Sequence, residues 1–340
     1  MPFINASRKP FIVAEMSGNH NQSLERALAI VNAAAAAGVD AIKLQTYTAD
    51  TITLPGVHTV TDGTSLWRNR ELHDLYKEAY TPWEWHHSLF QRAHEKGLIC
   101  FSSPFDETAV DFLESLNTPA YKVASFENTH HPLLAKIART GKPVIMSTGV
   151  STLADIDESV RLLRENGCKE LIILKCTSTY PATPENTNLL TIPHMTKMFN
   201  CGIGLSDHTA GIGVSIAAVA LGAVMLEKHL TLSRADGGVD AAFSMEPDEM
   251  RHLVIETERA WQGLGRIEYG VQKAEEKNLI YKRSIYVAKD ILAGDVFTSQ
   301  NIRIIRPGDG IAPKHFEIIL GKTARRSLVS GSALKWEDLL

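Results

Sequence analysis

The sequence has 340 residues, of which 44% are hydrophobic and 22% are charged, the composition of a protein with a large core rather than of a disordered chain. The formal charge is −4, with 35 lysines and arginines against 39 aspartates and glutamates, and no basic stripe favours a nucleic-acid partner. No apolar stretch is long enough to span a membrane and the N-terminus does not resemble a secretion signal, so we expect a cytoplasmic protein.

Eight short apolar runs alternate with longer segments of helical periodicity, which is the pattern of parallel strands joined by helices. In chain order, the predicted strands are 11–16, 41–46, 99–103, 121–125, 144–148, 171–176, 202–206 and 224–229. Among the helices, one begins at Ser23 and ends at Gly38, and another ends at Gly167. Eight such units predict an α/β fold of the (β/α)8 TIM-barrel type. An open doubly wound sheet is the alternative, but no GxGxxG motif follows the first strand.

The pattern changes after Trp261. The segment RIEYGVQKAEEKN is a charged connector, and from Ser284 onward short alternating segments are separated by AGD, PGDG and SGS turns. We therefore predict a barrel domain over residues 1–270, a linker over 271–282 and a small β-rich domain over 283–340. A domain this small buries little core, so we expect it to lean on the barrel or on a second subunit.

In barrels of this type the catalytic side chains lie where the strands end, and here most strand ends are polar. Two lysines at such positions, Lys43 and Lys122, could hold a small phosphorylated carboxylate together with nearby hydroxyls and backbone amides. Alternatively, these lysines extend to solvent or pair with Glu15 and Glu127. A third interpretation is a Schiff-base lysine, as in pyruvate aldolases.

His208 and His229 end neighbouring strands, so their imidazoles could share a metal ion that keeps open positions for water and substrate. Two nitrogens completed by oxygen ligands suit Mn²⁺ or Mg²⁺ better than a closed zinc site. In the glycine-rich loop after the eighth strand, Asp236 and Asp240 could bind a polyol. We interpret His20 as an exposed loop histidine without a function.

The four cysteines are widely separated in the sequence and show no CxxC spacing. We interpret them as packing residues in a reducing compartment, rather than as disulfide partners or zinc ligands. They are Cys100, Cys168, Cys176 and Cys201.

Eight motifs in order resemble the sialic acid synthase family along the whole barrel segment: AEMSGNHN, KLQTY, FSSPF, YKVASFE, MSTG, CTSTYP, GLSDHT and EKHLT. The tail, with SIYVAKDILAGDVFTSQNIRIIRPGDGI, is similar to the antifreeze-like (SAF) domain of these synthases. The resemblance implies a metal-dependent condensation of phosphoenolpyruvate with an amino-sugar aldose. The divalent metal would be bound at His208 and His229, with Mn²⁺ expected and Mg²⁺ or Co²⁺ as alternatives. A domain-swapped homodimer is also implied, in which Arg306 reaches the sugar.

The resemblance assigns roles to further positions. Phosphoenolpyruvate would be held by Lys43, Lys122, Ser125 and Ser147, with Ser178 and Tyr180 nearby. Many family members have asparagine in place of Ser178. Glu127 and Asp240 would bind sugar hydroxyls, and Glu15 would lie close to the reacting carbons and transfer a proton. The implied catalytic groups are thus Glu15, Lys122, His208 and His229.

Within the family, the segments DLYKEAYTPWEWH and GGVDAAFSMEP look most like the pseudaminic acid synthases. The implied acceptor is then 2,4-diacetamido-2,4,6-trideoxy-altrose, and the implied products are pseudaminic acid and phosphate. Synthesis of N-acetylneuraminic or legionaminic acid, by the same chemistry on a different aldose, is the alternative. From another class, a non-catalytic sugar-binding protein fits the tail alone.

Overall fold

A computed structural model describes residues 9–63 and 65–340. In these residues, eight parallel strands form a closed barrel in sequence order. The strands are β1 Phe11–Glu15, β2 Ala41–Thr46, β3 Ile99–Pro104, β4 Tyr121–Val123, β5 Val144–Ser147, β6 Leu171–Cys176, β7 Gly202–Ser206 and β8 Met225–His229. The barrel closes between β1 and β8, where Phe11 pairs with Met225 and Glu15 with His229. The predicted TIM barrel is confirmed, and each predicted strand agrees with an observed strand to within two residues.

Helices connect the strands. They are α1 Leu24–Ala37, α2 Ala49–Ile52, α3 Leu72–Ala79, α4 Trp83–Glu95, α5 Glu107–Ser115, α6 His131–Arg139, α7 Leu153–Glu165, α8 Thr191–Phe199, α9 Gly213–Ala220 and α10 Pro247–Leu264. Both predicted ends of α1 are confirmed. Ser23 Oγ accepts a hydrogen bond from the backbone N–H of Arg26 (3.2 Å), and Gly38 closes the helix in the left-handed conformation at φ 85°.

Apolar side chains pack on both faces of the barrel strands. Residues such as Val13, Phe101 and Ile145 fill the interior, whereas their neighbours along the strands pack against the helices. This burial on two faces explains why the strands are continuous apolar runs in the sequence. A Cβ at Gly204 would overlap the carbonyl oxygen of Met225, so glycine is required where β7 approaches β8.

A second compact unit, Arg266–Leu340, follows the barrel unit, which ends at Gly265. It contains an antiparallel pair of strands, β9 Ser284–Val287 and β10 Ile302–Ile305, and one short helix, α11 Phe316–Ile319. Its own core includes Ile285, Phe297, Ile319 and Leu334. In neither unit do the described residues include a helix that is long and apolar enough to cross a membrane.

Candidate active site

The barrel strands end at a cavity of about 540 Å³. Alternate residues of a strand face the same side of the sheet. The inward-facing positions are therefore apolar in the middle of the barrel and polar at this end. Val13 is followed by Glu15 on β1, and Ile145 by Ser147 on β5. The cavity is lined by these predicted residues: Lys43, Lys122, Ser125, Glu127, Ser147, Ser178, Tyr180, His208, His229 and Asp240. Glu15 joins them through its ion pair with Lys43.

Lys43 is held between two carboxylates at the floor of the cavity. Its Nζ lies 2.9 Å from Glu15 Oε2 and 2.9 Å from Glu227 Oε1, and all three side chains are buried. Burial would lower the pKa of Lys43, but the charges of the two carboxylates outweigh burial and raise it. Burial would raise the pKa of Glu227, but the positive charges of Lys122 and Lys43 outweigh burial and lower this pKa to about 2. Lys43 is therefore a cation at neutral pH, and the ion pair considered from the sequence lies within the cavity.

Lys122 is a second buried cation with fewer partners. It is 1% exposed, and its Nζ donates to Ser147 Oγ (2.7 Å) and to Val123 O (3.1 Å). The nearest carboxylate oxygen recorded for it, on Glu227, is 4.0 Å away. Burial lowers the pKa of Lys122 to about 8. The two hydrogen-bond acceptors of Lys122 named above are neutral. A dianionic ligand beside this ammonium group would therefore accept charge-assisted hydrogen bonds from it.

Three hydroxyl and thiol groups converge on the glycine that follows β5. The N–H of Gly149 donates to Ser125 Oγ (3.0 Å), and Cys176 Sγ lies 3.6 Å from Ser178 Oγ. A Cβ on Gly149 would overlap Ser178 Oγ and would lie 2.7 Å from Ser125 Oγ. The glycine thus leaves open a cradle of small polar groups. The interpretation of Cys176 as a packing residue is wrong, since its side chain lines the cavity at the end of β6.

The Gly149→Ala variant is expected to raise KM for an anionic substrate by at least about tenfold, because the new methyl group displaces Ser178 and Ser125. Gly213→Ala is the matched control, since Gly213 also follows a barrel strand and a Cβ there meets nothing within 4 Å. Steady-state kinetics of both variants test this. An unchanged KM in Gly149→Ala would show that the cradle does not contact the substrate.

His208 and His229 face each other with ring centroids 5.4 Å apart. His208 Nδ1 lies 3.1 Å from Thr177 O, and since a carbonyl only accepts, Nδ1 carries the proton and Nε2 has the lone pair in the neutral ring. Burial, with the nearby charges of His208 and Lys43, lowers the pKa of His229 well below its usual value, and His229 Nδ1 has no hydrogen-bond partner. A histidine binds a metal ion only as the neutral ring, so His229 suits that role.

Two imidazole nitrogens completed by oxygen ligands fit a divalent metal of the Mn²⁺ or Mg²⁺ type. In the described part of the chain, no group of three or more His, Cys, Asp and Glu side chains is arranged to hold an ion. Water and substrate oxygens would therefore complete the coordination. A buried ion pair between Lys228 and Asp207 (3.0 Å) fixes the strand ends that carry the two histidines.

Two carboxylates lie higher in the cavity. Asp240 accepts a hydrogen bond from Ser17 Oγ, and its Oδ2 lies 3.9 Å from His229 Nδ1. Glu127 Oε2 is buried without a hydrogen-bond partner. Burial raises the pKa of both carboxyl groups, that of Glu127 to about 7. The unpartnered oxygen of Glu127 could accept a hydrogen bond from a hydroxyl group of a ligand.

The Glu127→Gln variant is expected to increase the free energy of unfolding by about 1 to 3 kcal/mol at pH 8. The folded pKa of about 7 exceeds the ordinary value of 4.5. As pH rises between these two values, the unfolded state releases its proton before the folded state does, so the wild type loses stability and the glutamine variant does not. Thermal unfolding from pH 5 to pH 8 should show a gap between the two proteins that widens with pH. A constant gap would contradict the assignment.

Two other sequence interpretations are wrong. His20 is buried rather than exposed, and its Nδ1 accepts from the N–H of Gln22 (3.1 Å) in a structural role. Asp236 does not join Asp240 in the cavity but pairs with Arg26 at 2.7 Å on the surface. Arg306, predicted to contact the sugar, lies in the second unit just after β10 and is exposed.

Several lining residues were not predicted as site residues. Glu227 belongs to the EKH motif near the end of β8, so its position was a usable signal. The sequence does not show its ion pair with Lys43, which joins β8 to β2. Trp67 precedes α3 in the long connection from β2 to β3, and its Nε1 donates to Val239 O (2.9 Å) beside Asp240. No strand end marks that segment in the sequence.

Comparison with known proteins gives the family. The NeuB family model matches residues 30–269, and the SAF domain model matches residues 282–340. A pseudaminic acid synthase from Campylobacter jejuni is 40% identical over 98% of both chains, and an N,N'-diacetyllegionaminic acid synthase from the same species is 33% identical over 94% of this chain and 97% of its own. The crystal structure of N-acetylneuraminic acid synthetase from Leptospira borgpetersenii has a TM-score of 0.71 and 32% identity, covering 81% of this chain and 91% of that one. The chain described here therefore belongs to the NeuB family.

Proposed function

We propose that this enzyme is a transferase that condenses phosphoenolpyruvate with 2,4-diacetamido-2,4,6-trideoxy-β-L-altropyranose and water, giving pseudaminic acid and phosphate. The observation that carries the proposal is 40% identity, over 98% of both chains, with a pseudaminic acid synthase. The cavity supports it, since buried lysines suit an anionic substrate and unpaired carboxylate oxygens suit a polyol. A related synthase acting on a different aldose is the nearest alternative.

The lysines and hydroxyls of the cavity floor would bind phosphoenolpyruvate. Lys122 and Ser147, which hydrogen-bond each other at 2.7 Å, would donate to the phosphate and carboxylate oxygens, with Lys43 adding positive charge. Ser125 and Ser178 would complete the cradle around Gly149. Held in this way, phosphoenolpyruvate would present C3 to the aldehyde carbon of the sugar.

The reaction forms one C–C bond and one C–O bond, the latter to the oxygen of water, and it breaks the C–O bond between C2 and the bridging oxygen. C3 of phosphoenolpyruvate attacks the aldehyde carbon, water adds at C2, and phosphate leaves with the bridging oxygen. A divalent metal held by His208 and His229, with Mn²⁺ expected, would supply Lewis-acid polarisation of the sugar carbonyl. Glu15 would lie close to the reacting carbons and protonate the oxygen that was the aldehyde, since burial raises its pKa despite the opposing charge of Lys43. Glu127 and Asp240 would accept hydrogen bonds from sugar hydroxyls and orient the acceptor. Tyr180, whose ring contacts that of His208, would lie near the bound substrates.

The assembly we propose is a domain-swapped homodimer in the cytoplasm, with a barrel domain at 1–270, a linker at 271–282 and the SAF domain at 283–340. In the connector, Ile267 and Tyr269 are 94% and 96% exposed in the single chain, which supports a partner surface there. Arg306 of one chain would then reach the sugar bound to the other. Light scattering should give the molar mass of a dimer, and the mass of one chain would contradict this assembly.

Phosphate release from phosphoenolpyruvate tests the function. The assay uses Mn²⁺ with and without EDTA, and three acceptors: the altrose derivative, N-acetylmannosamine and the legionaminic acid precursor. Turnover that is confined to the altrose sugar and abolished by EDTA is expected. Turnover only with another sugar would keep the chemistry and overturn the choice of acceptor, whereas no release with any sugar would overturn the proposal.

One observation favours a second function, a Schiff-base aldolase. The lowered pKa of Lys122, about 8, is the property that such a nucleophile requires. Lys43 does not share it, because its ion pairs raise its pKa. Borohydride in the presence of pyruvate would add a covalent adduct to Lys122 in an aldolase, and mass spectrometry should find none if phosphoenolpyruvate is the substrate.

A further inference from the structure

Helix α3 turns an apolar face toward the cavity. The side chains of Leu72, Leu75, Tyr76 and Ala79 all line it, at the i, i+3, i+4 and i+7 positions that share one side of a helix. The opposite side is charged and exposed, for example at Lys77. In a barrel helix such a stripe normally packs against the strands, whereas here it borders the space where substrate would bind.

Neighbouring loops extend this surface. Ile52 at the end of α2, Phe105 after β3 and Phe126 after β4 also line the cavity, and Phe126 is 61% exposed. We call this surface the apolar wall, and it consists of Ile52, Leu72, Leu75, Tyr76, Phe105 and Phe126. It carries no charge, so it cannot serve the phosphate or carboxylate of phosphoenolpyruvate.

The wall lies beside the two carboxylates of the cavity. Tyr76 and Glu127 both line the cavity, and the charge of Glu127 contributes, after burial, to the raised pKa of Tyr76. The ring of Tyr76 meets that of Tyr47 at 5.8 Å, and the charge of Asp240 contributes, after burial, to the raised pKa of Tyr47. Because Glu127, Asp240 and the wall line one cavity, a sugar whose hydroxyls contact these carboxylates would have other substituents within reach of the wall.

Helix α3 is anchored at both ends, so the wall is preorganised. Near its start, His73 Nε2 is 2.8 Å from Asp50 Oδ1. At its end, Gln22 Nε2 donates to the carbonyl oxygens of Glu78 (2.9 Å) and Tyr80 (2.8 Å). A rigid apolar surface favours a methyl group over a hydroxyl that would lose its water without gaining a partner.

We propose that the apolar wall recognises the methyl groups of the acceptor, namely the 6-deoxy carbon and an acetamido methyl, and selects against aldoses that carry a hydroxyl at carbon 6. This inference rests on the proposed function, because it takes the acceptor to be an amino-sugar aldose. An apolar pocket discriminates a methyl from a hydroxyl-bearing analogue by a factor of about ten to two hundred. The wall thus accounts for the choice between acceptor sugars, while the polar residues at the floor of the cavity bind phosphoenolpyruvate and take part in the reaction.

The test compares two acceptors that differ only at carbon 6: the 2,4-diacetamido-2,4,6-trideoxy altrose and its 6-hydroxy analogue. The wild type should favour the 6-deoxy sugar in kcat/KM by about tenfold or more. Leu72→Thr should reduce this ratio several-fold without changing KM for phosphoenolpyruvate. Phe126→Asn, at an exposed position where folding is not at risk, should act in the same direction, and Lys77→Ser on the opposite side of α3 is the matched control.

Calorimetric binding of both sugars, without phosphoenolpyruvate, separates this inference from the proposed function. Preferential binding of the 6-deoxy sugar by the wild type, lost in Leu72→Thr and Phe126→Asn, supports the wall even if no phosphate is released and the proposed function fails. Three results would overturn the inference: the two variants weaken binding of both sugars equally, they leave the ratio of the two affinities unchanged, or the wild type binds neither sugar.

Discussion

Replacing Lys122 with methionine is expected to lower kcat/KM for phosphoenolpyruvate by about 10²- to 10³-fold, the usual effect of removing one preorganised donor to a developing charge. Methionine keeps most of the length of the side chain but removes the ammonium group that donates to Ser147. Because burial already disfavours the charge of Lys122, the variant should fold as well as the wild type. Phosphate release under steady-state conditions measures the effect.

Lys175→Met is the matched control. Lys175 is the penultimate residue of β6, is half-buried and has a lowered pKa, and its Nζ donates to Cys176 O (2.9 Å) and Thr177 Oγ1 (3.2 Å). Unlike Lys122, it is not among the described residues that line the cavity. Its loss should change kcat/KM less than about threefold, the scale of a lost neutral contact. Equal losses in the two variants would mean that Lys122 supports the fold rather than the anion.

Replacing His229 with glutamine is expected to lower kcat by about 10³-fold or more and to abolish tight Mn²⁺ binding, because His208 and His229 are the only histidines among the described residues that line the cavity. Since His229 is neutral, the substitution does not change the charge of the site. Calorimetric titration with Mn²⁺ measures the binding directly, independently of activity.

The control for this variant is His194→Gln, an exposed histidine on α8. It should bind Mn²⁺ and turn over as the wild type does. EDTA should inactivate the wild type, and added Mn²⁺ should restore it. Wild-type affinity for Mn²⁺ in His229→Gln would contradict the assignment of the metal ligands.

The barrel was predictable because its strands are buried on two faces and therefore form continuous apolar runs, such as LIIL in β6. The largest difference from a predicted strand is in β4, which is two residues shorter than predicted. β4 ends at Val123, because Ser125–Glu127 forms a 3-10 turn that brings Ser125 and Glu127 to the cavity. When a short polar segment follows an apolar run, the sequence does not show whether the strand continues or a turn begins.

The floor of the site was also predictable, since strand ends in a barrel point to one place. What the sequence did not reveal depends on contacts between distant segments. Glu227 is significant because Lys43 lies 2.9 Å away on another strand, and Cys176 because β6 ends beside the serines. The stripe on α3 has the periodicity of a core helix, so only the three-dimensional structure distinguishes a cavity-lining face from a packed one. His20 became buried by packing against Trp85, which its loop sequence does not indicate.

The most direct test of the account uses phosphoenolpyruvate labelled with ¹⁸O at the oxygen that bridges C2 and phosphorus, incubated with the altrose sugar and Mn²⁺. Mass spectrometry should find the label in the released phosphate. The amount of labelled phosphate should equal that of a nine-carbon keto acid with the mass of pseudaminic acid. Label retained in the organic product, or phosphate released without any nine-carbon product, would contradict the proposed condensation.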